Sequence, residues 1–82
     1  MSVKARVTVT LKNGVLDPQG QAIRNALKGL DFPGIASVRQ GKVFDIALDD
    51  TSEPDAEKLL QAMCEKLLAN TVIEDYTIRI IR

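Results

Sequence analysis

The chain has 82 residues, 45% of them hydrophobic and 27% charged; eleven basic and eleven acidic side chains cancel to zero net charge, and there is no histidine. This length supports a single domain, residues 1–82, with a small core that gains from oligomerising. The neutral balance excludes a general nucleic-acid binder, which needs a basic face to displace counterions from phosphate, and the composition excludes a disordered chain.

Val3 to Leu11 alternates strictly, with Val3, Ala5, Val7, Val9 and Leu11 on one face and Lys4, Arg6, Thr8 and Thr10 on the other. That is a half-buried strand. Lys12-Asn13-Gly14 ends it. A helix over 18–30 follows, with Asp17 as its cap, Pro18 at its first position, and Ala22, Ile23, Ala26, Leu27 and Leu30 at helical spacing. Gly29 and the turn Asp31-Phe32-Pro33-Gly34 stop it.

Residues 35–48 read as extended, broken at Gln40-Gly41 into a short strand 35–39 and a longer one 42–49. Ser52 caps a second helix over 55–69, where Ala56, Leu59, Leu60, Met63, Cys64, Leu67 and Leu68 form a broad apolar stripe. Asn70 is expected in the left-handed region that ends this helix. Tyr76, Ile78 and Ile80 alternate with Thr77, Arg79 and Ile81 in a last strand. The order β-α-β-β-α-β predicts an α+β fold: a ferredoxin-like sandwich with two helices on one face of a four-stranded antiparallel sheet. Thr8, Thr10, Thr77, Arg79 and Ile81 then share the bare face, where self-association would supply cover.

Little in this inventory supports catalysis. Without histidine there is no Cys-His nucleophile pair, and most transition-metal sites lose their usual ligand. Cys64 lies on an apolar helix stripe with no second cysteine, as an inert buried thiol does. The acidic cluster Asp49, Asp50, Glu53, Asp55 and Glu57 lacks calcium-loop spacing and suits a solvated helix start. Gly41-Lys42 has no Walker spacing before it. No catalytic residue and no metal ligand is expected in this chain. There is no membrane-spanning run and no signal-peptide pattern, and a lone cysteine forms no internal disulfide, so the expected location is the cytoplasm.

Charge is unevenly placed: residues 1–42 hold seven basic and two acidic side chains, and residues 43–82 four basic and nine acidic. Such a dipolar chain either pairs with itself by complementary charge or simply interleaves its charges on a wet surface.

Three stretches, "VTLKNGVLDPQGQAIRNAL", "VRQGKVFDI" and "MCEKLLANTVIEDYTI", resemble in order the PurS family, the small subunit of phosphoribosylformylglycinamidine synthase. Thr71 stands where that family often has proline, which loosens the turn into the last strand. The resemblance implies a non-catalytic subunit of a glutamine-dependent, ATP-hydrolysing ligase of de novo purine synthesis. It would bridge a glutaminase subunit and a large synthetase subunit so that ammonia from glutamine converts formylglycinamide ribonucleotide to the amidine. ATP, magnesium and glutamine would be used by those partners, and the small subunit would form a homodimer or higher homo-oligomer, with no nucleic acid or membrane involved. Candidate partner contacts are Asn13, Leu16, Asp17, Gln19 and Gly20 at the first helix start, and Arg39, Gln40 and Lys42 at the next turn.

Two other readings stay open on the residues alone. A ferredoxin-like regulatory module would bind a small metabolite and melt higher in its presence. An acylphosphatase-type enzyme would need an anion-binding loop with arginine and asparagine, and no loop here has that composition.

Overall fold

The computed structural model describes residues 2–81. Strand β1 (Val3–Leu11) is followed by helix α1 (Pro18–Gly29), strand β2 (Gly41–Leu48), helix α2 (Glu53–Met63) and strand β3 (Glu74–Ile81). The sheet is antiparallel and three-stranded, in the order β2-β1-β3. The most strictly alternating segment of the sequence is thus the central strand. Its odd-numbered residues Val3, Ala5, Val7 and Val9 are buried, and β2 sets Leu48, Ile46 and Phe44 opposite the first three while β3 sets Ile80, Ile78 and Tyr76 opposite the last three.

α2 covers this face. Ser52 caps it by accepting from the Asp55 amide at 3.4 Å, and Glu53 and Asp55 in the first turn complement the helix dipole. Ala56, Leu60 and Cys64, at i, i+4 and i+8, are fully buried against β1 and close the core with Ala69. The expected helix over 55–69 is a true helix from Glu53 to Met63 and then a single π-helical turn, Cys64–Leu68, sealed by the bond from the Ala69 amide to the Cys64 carbonyl at 2.9 Å. Asn70 is not left-handed; Asp31 and Asp50 are the non-glycine residues with positive φ among those described. The Asn70 side chain instead accepts from Val72, its carbonyl from Ile73 and Glu74, and its amide donates to Glu74, which folds the turn into β3 without the left-handed residue.

Two expectations fail together. Residues 35–39 form no strand with β2, and α1 does not lie on the sheet: its one buried residue is Gly20, and it contributes nothing to the core. A hairpin at Gln40-Gly41 would need positive φ in its turn, and neither residue has it. Gly41 pairs with Thr10 as the first residue of β2, so the chain runs from Ile35 into β2 without reversing. The result is a sheet with one helix, and an arm of residues 13–40 reaching past its end. The molecule measures 50 × 26 × 15 Å.

Candidate functional site

The arm is joined to the sheet at one polar corner. Asp17, 7% exposed, caps α1: its Oδ1 accepts from the Gly20 amide at 2.9 Å, and its Oδ2 accepts from the Gln40 amide at 2.7 Å. The Gln40 and Gly20 amides hold the Asp17 carboxyl below its ordinary pKa, because both hydrogen bonds favour the anion. One side chain therefore ties the start of α1 to the segment that returns from it. Gly20 makes this closure possible. A Cβ built there would lie 2.1 Å from the Val38 carbonyl oxygen, so only glycine lets the helix and the returning backbone come this close.

Arg39 completes the joint. Its guanidinium donates to the carbonyls of Lys12 at 3.1 Å, Val15 at 3.2 Å and Leu11 at 3.4 Å, which fastens the β1–α1 loop. The Gln40 side chain donates to Gln19 at 2.7 Å, and Arg24 Nε donates to the Ile35 carbonyl at 3.1 Å. The two stretches that the sequence separates, 13–20 and 39–42, thus form one corner. Asp17, Gln19, Gly20, Arg39 and Gln40 meet in it; Asn13 and Leu16 stand exposed on its loop, where Gly14 takes a φ of +87°. Lys42 lies apart, opposite Val9 in β2. Arg24 and Val38 also belong to the corner and were missed, since nothing in the local pattern reveals a contact across eleven or more residues.

The other candidates share the outer sheet face, as the alternation predicts. Thr8 lies opposite Thr77, Thr10 opposite Asp75, Arg6 opposite Arg79 and Lys4 opposite Ile81. Arg6 also bonds Asp45 on the other side at 2.8 Å; that contact lowers the Asp45 pKa and raises that of Arg6. Cys64 is buried, and desolvation pushes its thiol pKa up, the opposite of an activated nucleophile. No three potential metal-ligating His, Cys, Asp or Glu residues cluster among the described residues, and no helix there is long and apolar enough to cross a membrane.

Charged and polar groups at this corner are spent on holding backbone in place, while large apolar side chains stand exposed elsewhere: Ile23, Leu30 and Phe32 on the arm, Leu59 on α2 and Leu67 in the π-helical turn after it. Fold and corner together define a small α+β assembly subunit, a domain whose unmatched surfaces call for other chains. Comparison with known proteins gives the particular family. The family model for PurS, phosphoribosylformylglycinamidine (FGAM) synthase, matches residues 4–82. The chain is 55% identical to the phosphoribosylformylglycinamidine synthase subunit PurS of Mycobacterium leprae, over 92% of this chain and 91% of that one. It is 48% identical to the subunit of the same name from Bacillus subtilis, over 89% and 86%. Among solved structures, B. subtilis PurS superposes with a TM-score of 0.87 at 44% identity over the full length of both chains. A chain of PurLQS from Thermotoga maritima superposes at 0.89 with 26% identity, over 99% of each. The chain belongs to the PurS family and is a subunit of FGAM synthase, a glutamine-dependent ligase.

Proposed function

We propose that this chain bridges the glutaminase and the ATP-dependent synthetase of its enzyme in the cytoplasm, so that ammonia released from glutamine reaches formylglycinamide ribonucleotide and converts it to the amidine. The observation that supports this most is the near-complete superposition on a chain from the PurLQS structure, arm included. A domain that keeps its arm away from its own core matches a shape found in a multi-subunit enzyme. The corner at Asn13, Leu16 and Gln19 is the proposed partner contact, because it stands exposed on a base that Asp17 and Arg39 make rigid.

The test is amidine synthesis from glutamine and ATP by the large and glutaminase subunits, with and without this protein. A bridging subunit is required when glutamine is the nitrogen source and required much less when ammonia is supplied. Equal glutamine-dependent rates with and without it would refute the reading.

A further inference from the structure

The outer face of the sheet, turned away from α2, carries an unusual arrangement of charge. Arg6 on the central strand lies directly opposite Arg79 on β3, and the Cβ atoms of such a cross-strand pair stand about 5 Å apart. Lys4 faces Ile81, which makes it the diagonal neighbour of Arg79, about 7–8 Å away. Three cations thus share a patch about one Debye length wide, too close for salt to screen them from one another.

One carboxylate reaches this patch. Arg6 donates to Asp45 on β2 through Nε, at 2.8 Å, and through Nη2, at 3.4 Å. At the far end of the face Lys12 and Asp75 pair with each other. Among the described residues, the side chains of Arg79 and Lys4 have no hydrogen bond or ion pair. The face therefore keeps an excess of two positive charges in a chain whose net charge is zero. Like charges set directly opposite one another destabilise a strand pair, and a sheet this small has little stability to spare. A local rule broken on the central strand, with no compensation inside the chain, points to a group outside it.

We propose that Arg79, together with Arg6 and Lys4, docks an acidic surface of another subunit of the same enzyme, whose aspartate or glutamate carboxylates seat between the two guanidinium groups. This rests on the bridging reading and adds to it a second contact, separate from the corner. Three features select a protein carboxylate. The planar guanidinium fork holds a carboxylate bidentately, as Arg6 already does with Asp45, and the fork of Arg79 is unused. Thr8 and Thr77, the next cross-strand pair, add hydroxyl donors beside it. Apolar side chains border the cations, Val43 on β2 at 60% exposed and Ile81 on β3 at 42%, and arginine set among apolar area on an open face is the make-up of a protein interface. A nucleic acid fits poorly, because two unpaired cations displace few counterions. A second copy turned about a two-fold axis would set this cationic face against itself.

The test compares the wild type with Arg79→Glu, Arg79→Lys and Lys4→Glu, each alone and with the glutaminase and synthetase subunits. Arg79→Glu places a carboxylate opposite Arg6, so the isolated chain should melt higher, by about 1–5 °C. The same variant should bind the subunit that uses this face about tenfold or more weakly. Lys4→Glu should weaken that same subunit, and Arg79→Lys, which keeps the charge but loses the fork, should weaken it less than Arg79→Glu. Added salt should loosen the wild-type complex more than the Arg79→Glu complex. If Arg79→Glu assembles as well as the wild type, the proposal is overturned and the bridging reading stands. A wild type that binds neither subunit overturns both. A change of mass in isolated Arg79→Glu, measured by light scattering, would give the face to a second copy, and a lowered melting temperature would give Arg79 to the fold; either overturns the proposal.

Discussion

Replacing Gly20 by alanine sets two effects against each other. Alanine in a helix is worth up to about 1 kcal/mol over glycine, which would strengthen α1. The new Cβ, however, would sit 2.1 Å from the Val38 carbonyl oxygen, 3.0 Å from its carbon and 2.9 Å from Asp17 Oδ2. Two of those three atoms are backbone, so no rotamer change relieves the contact. Relief needs a separation of at least 3 Å, a shift of roughly 1 Å in a segment whose Gln40 amide lies 2.7 Å from Asp17. Overpacking of this kind costs about 1–3 kcal/mol, so against a gain of up to about 1 kcal/mol the net loss is about 1 kcal/mol at mid-range. Because α1 adds nothing to the core, the loss falls on the arm's attachment and leaves the sheet alone. Native-state hydrogen exchange separates the two. The Gln40 amide should exchange several-fold to tenfold faster in Gly20→Ala, while amides of Val7 and Leu60 keep their protection. An unchanged Gln40 amide together with a raised melting temperature would show that propensity governs this position, and the closure argument would be wrong.

Asp17→Asn should remove the acid sensitivity of the arm. The folded-state pKa of Asp17 lies below its ordinary value, so the ionised form's contribution is fully present above about pH 4 and is lost as pH falls through the lower folded pKa. A pH series of the Gln40 amide's protection factor, corrected for intrinsic exchange, should show that acid-side loss in the wild type and a flat, lower profile in the variant. Leu60→Ala empties the largest fully buried position and should cost about 2–5 kcal/mol, much of the roughly 4–12 kcal/mol that a domain this small commands; urea unfolding followed by circular dichroism would measure it. Cys64 should resist a thiol reagent in the native protein and react fully in denaturant, because its sulfur is buried and its thiol pKa is raised; rapid native-state labelling would contradict the burial.

The sheet and the helix caps were legible because their signals are local. Strict alternation at Val3–Leu11 marks the central strand, Asp17-Pro18 marks the start of α1, and Ser52 with its following acidic residues marks α2. The arm was not legible for the opposite reason. Residues 35–39 are extended whether they pair with their own β2 or pass by it, and the deciding facts are the ordinary φ at Gln40-Gly41 and the Asp17 carboxylate, 23 residues away, that accepts from the Gln40 amide. The apolar stripe of α1 marks a helix without marking the surface that would cover it, and the chain's own sheet does not. The π-helical turn escaped notice because it preserves the stripe through Cys64 and alters only the backbone bonding after it. At the corner, Asp17 and Arg39 hold the structure from inside it, which leaves Asn13, Leu16 and Gln19 as its outward face.

The strand order also dictates a schedule. β1 precedes both of its neighbours in the chain, and the second of them, β3, lies far downstream: Val7 faces Ile78, 71 residues later. A nascent chain therefore carries its most buried strand half-paired until β3 has been synthesised. Closing that long loop is a slow, non-local step. Completion of the sheet waits for β3 to leave the ribosome, and the exposed flank of β1 in chains cut short before it is where chaperones and proteases would find their purchase.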